Sequence, residues 1–111
     1  MQLPKNIPKT MKTPASLLII FLLPSLLLAQ SGKVFDNLSL PSKILNGERK
    51  YAVYLPPDYE TSQRSYPVLY LLHGNNGTEA DWTDVGAAHL ILDNLIADGL
   101  ATPMIVVMPW G

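Results

Sequence analysis

The sequence predicts an α/β fold in which an antiparallel hairpin leads into a mainly parallel sheet with one βαβ crossover. Three observations point there. Two extended segments flank Asn46-Gly47, continuous apolar runs lie at Val68–Leu72 and Met104–Met108, and an amphipathic stripe separates those two runs. Strand, helix and strand fall within about 42 residues, enough for a right-handed crossover between parallel neighbours.

The first 29 residues read as an address rather than as part of that fold. Lys5, Lys9 and Lys12 precede a block from Ala15 to Ala29 in which 12 of 15 residues are apolar, the exceptions being Ser16, Pro24 and Ser25. A basic start, an apolar run and a small residue at its end form a secretory signal. Met11 offers an alternative start, and cleavage is expected after Ala29, leaving Gln30 first. The competing reading is a transmembrane anchor, which needs about 20 apolar residues. This run is shorter, contains Pro24 and has no basic flank after it. The expectation is a secreted or periplasmic protein, residues 30–111, with no stable membrane anchor after cleavage.

The hairpin comes first in that domain. Val34–Leu45 and Arg49–Leu55 suit extended chain, and Asn46-Gly47 suits a tight turn because both residues tolerate positive φ. Tyr51, Val53 and Leu55 alternate with Ala52 and Tyr54, so the second strand has two distinct faces. Pro56-Pro57 ends it by removing two backbone donors. Asp58–Tyr66 is a polar surface loop closed by Pro67.

Val68–Leu72 does not alternate, which predicts a strand covered on both faces. His73-Gly74-Asn75-Asn76-Gly77 stops it. Between Gly86 and Asp98, Ala88, Ile91, Leu92, Leu95 and Ile96 fall on one helical stripe. Thr83 or Asp84 is the expected cap and Gly99 the expected stop. His89, Asp93 and Asp98 lie off the stripe and read as an exposed, solvated face. Met104–Met108, between Pro103 and Pro109, is the second parallel strand. Two parallel strands and one helix leave an open sheet edge, which about 80 residues only partly cover.

Composition narrows the chemistry. The 111 residues include no Cys and two His, which excludes a disulfide scaffold, a thiol nucleophile and Cys-ligated metals. Asp81 and Asp84 lack the dense oxygen pattern of a calcium site, so no metal is expected. From Gln30 onward there are 5 basic and 9 acidic residues, a net charge of −4. Nucleic acid is therefore not an expected partner, since phosphate binding needs a surplus of Lys and Arg. No basic amphipathic helix is present to hold a membrane surface.

The turn after the first parallel strand is the place for chemistry. A glycine-rich corner there frees backbone N–H groups to face an anion or a developing negative charge. Neither phosphate-binding pattern, G-x-x-x-x-G-K-[ST] or G-x-G-x-x-G, occurs. The remaining reading is an oxyanion hole, with Gly74 making the sharp turn and the Asn75 N–H facing a reacting carbonyl.

At these residues the sequence becomes familiar. Tyr54-Leu55-Pro56-Pro57-Asp58-Tyr59, Tyr66-Pro67-Val68-Leu69-Tyr70-Leu71-Leu72-His73-Gly74, Asp81-Trp82, Ile91-Leu92-Asp93-Asn94-Leu95-Ile96 and Pro103–Pro109 occur in order. Together they closely resemble the Putative esterase family of α/β-hydrolases, which includes feruloyl esterases, enterochelin esterases, S-formylglutathione hydrolases and mycolyltransferases. The resemblance covers Lys33 to Gly111 and is nearest to the exported, feruloyl-esterase-like branch, often attached to xylan-degrading modules.

The resemblance implies an oxyanion-hole donor at Asn75 shaped by Gly74, a structural His73, and Trp82 either bordering an acyl pocket or packing loop on helix. The family's nucleophile is a Ser in G-x-S-x-G, followed by Asp or Glu and then His. No G-x-S-x-G occurs here, and Ser31, Ser39, Ser42, Ser62 and Ser65 fall in predicted strands or loops. The expectation is therefore an N-terminal fragment that ends before the nucleophile elbow, without a catalytic residue of its own. The parent would act on a small-molecule or polysaccharide-linked ester and use no cofactor. The competing reading is a non-catalytic exported binding or structural module, or a decayed gene product. Acyl and alcohol specificity, hydrolysis against acyl transfer, and oligomeric state are not written in these residues.

Overall fold

The computed structural model describes residue 2 and residues 30–111; the segment read as a signal otherwise lies outside the described residues. Its elements are β1 (Lys33–Ser42), β2 (Gly47–Leu55), β3 (Val68–Tyr70), α1 (Asp81–Asp84), α2 (Ala88–Ala97) and β4 (Ile105–Pro109). The strands form one sheet in the order β1-β2-β4-β3. β1 and β2 are antiparallel, as are β2 and β4, while β3 and β4 run parallel with Leu69 opposite Val106. The crossover is thus present, and its return strand inserts between the hairpin and β3.

The hairpin turn is longer than the expected Asn-Gly pair. Ser42 pairs with Gly47, so Lys43–Asn46 forms the loop and Gly47 already belongs to β2. Asn46 alone of the dipeptide takes positive φ, at 48°. The Leu45 N–H donates to the Ser42 hydroxyl at 3.3 Å, which holds the wider loop closed and ends β1 three residues before Leu45.

Alternation along β2 and β4 builds the core. Ala52, Tyr54, Val106 and Met108 are fully buried on one face of the sheet, packed against Val34, Leu71, Trp82, Leu92, Ile96 and Met104. Helix α2 lays Leu92 and Ile96 of its stripe over the two central strands, while Ile91, expected on the same stripe, is exposed. β3 departs from expectation. Val68, Leu69 and Tyr70 are all exposed, Tyr70 at 68%, because β3 is the sheet edge and the helices pack over β2 and β4 instead. Its continuous apolar run is a strand with an open edge.

The helical region is broken in two. Ala87 has φ 48° and ψ 32°, so α2 starts at Ala88 with a left-handed residue and no side-chain cap. Thr83, an expected cap, instead donates its hydroxyl to the Ala80 carbonyl at 2.9 Å within α1. Gly99 does end the helix: its φ is 70°, and the Leu100 N–H reaches back to the Leu95 carbonyl at 2.8 Å. Two side chains placed on the solvated face are not there. His89 is half-buried, with Nδ1 out of solvent and unpartnered among the described residues. Asp93 is half-buried as well, and accepts from the Tyr54 hydroxyl at 2.7 Å and the Gly32 N–H at 2.9 Å. Both sit at the border of the stripe, where the packed sheet covers what helical spacing alone leaves outside.

Candidate active site

The chain leaves the sheet just past β3. The Leu71 N–H still donates to the Val107 carbonyl at 2.9 Å, and Leu71 packs on the core. At Leu72 the ladder ends, and the Leu72 carbonyl accepts instead from the Trp82 indole N–H at 2.9 Å. Trp82 thereby joins the end of the strand to α1 while its ring covers core residues.

The corner itself is a four-residue turn. The Gly77 N–H donates to the Gly74 carbonyl at 3.1 Å, and Asn76, third in the turn, has φ 58°. Asn tolerates this region better than other side chains. Gly74 was expected to supply the unusual backbone, but Gly99 is the one glycine with positive φ among the described residues. A Cβ built on Gly74 would meet nothing within 4 Å, so its surface is open.

Gly77 is the more crowded of the corner's two glycines. A Cβ there would run into the Asp81 carboxylate and lie 3.0 Å from the His73 ring. Asp81 is held in place by the Thr78 hydroxyl, which donates to Oδ1 at 3.0 Å. Sequence reasoning singled out neither Gly77 nor Thr78. The Thr78-x-x-Asp81 spacing, which resembles a capping box, is the signal that could have found the pair.

Of the expected site residues, His73, Gly74 and Trp82 line one cleft, and Asn75 stands outside its lining. His73, Gly74, Asp81, Trp82, Val85 and Gly86 line a cleft of about 230 Å³, beyond the C-terminal end of β3. Asn75 is exposed, and among the described residues its N–H donates to no backbone carbonyl. His73 Nδ1 lies 2.7 Å from the Gly74 carbonyl oxygen, and its Nε2 accepts from the Gly111 N–H at 3.3 Å. No three acidic or imidazole side chains converge as metal ligands among the described residues. Ser39 and Ser42 lie in β1, Ser31 precedes it, and Ser62 and Ser65 lie between β2 and β3; none stands at a strand-to-helix turn.

One polar group of the core bears on electrostatics. Burial first, then the hydrogen bond and negative charge of Asp93, hold the Tyr54 phenol well above its ordinary pKa. It stays protonated and donating, behind the layer that carries the cleft.

The Putative esterase family model matches residues 42–111, from the end of β1 through β4. The chain belongs to that family. Over 63 residues this esterase-family chain is 52% identical to an endo-1,4-beta-xylanase/feruloyl esterase from Xylanibacter ruminicola, a stretch covering 53% of the chain and 9% of that protein. A solved ferulic acid esterase is similar at 41% identity and a TM-score of 0.69, over 73% of the chain and 31% of its own. The feruloyl esterase module from Clostridium thermocellum, solved in complex with sinapinate, is similar at 31% identity and a TM-score of 0.64, over 72% and 27%. The fold is that of the α/β-hydrolases, and the chain spans under a third of either solved relative.

Proposed function

We propose that this chain is the opening part of an exported carboxylic-ester hydrolase of the feruloyl-esterase type, whose nucleophile is encoded outside these 111 residues. The observation that supports it most is the exposed Asn75 amide, without a backbone acceptor among the described residues, beside the open surface of Gly74. An amide in that state is free to donate to charge that develops during reaction. In the whole enzyme a Ser hydroxyl, deprotonated by a His, attacks the ester carbonyl. The carbonyl oxygen becomes an oxyanion held by the Asn75 N–H and by the N–H following the nucleophile. The alcohol leaves with the proton from His, and water then releases the acid from the acyl-enzyme. Loss of one such donor typically lowers kcat by about 10²–10³. Trp82 borders the cleft and gives an aromatic acyl group a wall to lie against. The chemistry calls for no metal or organic cofactor, and the substrate class is an ester of an aromatic acid, free or linked to polysaccharide.

Two measurements test this reading. The purified chain incubated with p-nitrophenyl acetate is expected to show no serine-dependent turnover; turnover abolished by a single Ser substitution would place the nucleophile inside it. Reading the coding DNA past the Gly111 codon is expected to reveal an in-frame G-x-S-x-G. A stop codon with no such continuation favours a non-catalytic exported module instead.

A further inference from the structure

We infer that His73 is a positioning residue for the Asn75 amide, acting through the Gly74 carbonyl as the neutral tautomer protonated at Nδ1. This deepens the reading above and rests on it for the purpose of the amide. Two contacts determine the tautomer. A carbonyl oxygen only accepts, so with Gly74 O at 2.7 Å from Nδ1 the proton sits on Nδ1. A backbone N–H only donates, so with Gly111 N at 3.3 Å from Nε2 that nitrogen presents its lone pair. The ring therefore bridges the corner after β3 to the chain leaving β4, 38 residues apart in sequence.

The consequence for Asn75 follows from peptide geometry. The Gly74 carbonyl and the Asn75 N–H belong to one planar, trans peptide unit, so fixing the oxygen fixes the direction of the N–H opposite it. Two donors converge on that oxygen, His73 Nδ1–H from one residue before and the Gly77 N–H at 3.1 Å from three residues after. With its carbonyl held by the protein's own donors, the unit turns its N–H the other way. Asp81 is the charged group that shares the corner, kept beside the ring by the absence of a Cβ at Gly77.

The test is nuclear magnetic resonance of the full chain. At mildly alkaline pH the long-range proton–nitrogen spectrum of His73 is expected to show a protonated Nδ1 and an unprotonated Nε2. The opposite tautomer, or averaging between the two, overturns the inference without any variant having to fold. In His73→Phe the order parameter of the Asn75 amide is expected to fall from about 0.85 to under about 0.6. His73→Asn, which keeps a donor near the Nδ1 position, is expected to restore it. An unchanged value in His73→Phe overturns the positioning role. Ferulate added to the wild-type chain is expected to shift the Asn75 amide signal, with at least a tenfold weaker apparent affinity in His73→Phe, on the order of one lost charge-assisted hydrogen bond. If ferulate leaves Asn75 unmoved while tautomer and order parameters behave as stated, the clamp stands and the oxyanion reading fails.

Discussion

The Tyr54 hydroxyl donates to Asp93 Oδ1 across 2.7 Å, and the Gly32 N–H reaches the same oxygen at 2.9 Å. One carboxylate thus joins the central strand β2, the helix α2 and the residue that precedes β1. A buried phenol needs a partner for its O–H, and Asp93 supplies it from the border of the helical stripe.

Tyr54→Phe is expected to lower stability by about 1.5–3 kcal/mol, the range for a hydrogen bond to a charged group. Asp93→Ala is expected to lower it further, because the Tyr54 hydroxyl and the Gly32 N–H both lose their acceptor. Urea denaturation of the two variants checks the order.

Alkaline pH probes the same pair. The folded phenol has its pKa raised above 10.0, chiefly by burial and then by Asp93. In the unfolded chain it ionises at its ordinary value, so above about pH 10 the unfolded state binds fewer protons than the folded one. The stabilisation is complete below that pH and is lost as pH rises toward the folded value. Unfolding free energies measured from neutral to alkaline pH are expected to fall less steeply in Tyr54→Phe than in the wild type.

Ala87 holds a left-handed backbone between α1 and α2, at φ 48°. A Cβ in that region costs about 1–2 kcal/mol, and glycine has no such penalty. Ala87→Gly is therefore expected to stabilise the chain by about 1 kcal/mol, after allowance for the extra freedom of glycine when unfolded. A lower melting temperature would contradict this.

The two glycines that bracket the corner should respond differently to alanine. Gly77→Ala forces a methyl against Asp81 and His73 and is expected to destabilise by about 1–3 kcal/mol, as overpacking does. Gly74→Ala meets no protein atom within 4 Å and is expected to leave the melting temperature nearly unchanged while narrowing the approach to Asn75. Thermal melts of both variants, with ferulate titration of the second, separate the effects.

Trp82 supplies the remaining tie. Trp82→Phe keeps the aromatic packing but leaves the Leu72 carbonyl without the indole donor at 2.9 Å. A loss of about 0.5–1.5 kcal/mol is expected by denaturant titration.

The sequence by itself determined features that act through near neighbours. Pro56-Pro57 stops β2, Gly99 stops α2, the runs at Val68 and Met104 mark β3 and β4, and the 42-residue crossover makes them parallel. The corner at His73-Gly74-Asn75 was legible for the same reason, since a glycine-rich break after an apolar run is a local signal. Tertiary structure decided whatever depends on partners distant in sequence. β4 sits between β2 and β3, which left β3 as the exposed edge. Asp93 finds Gly32 61 residues away, His73 finds Gly111, and position 77 is crowded only because Asp81 folds back beside it. Spacing along a helix or strand says which side chains share a face; only the packed sheet sets which of those faces, and which backbone oxygens, meet a partner.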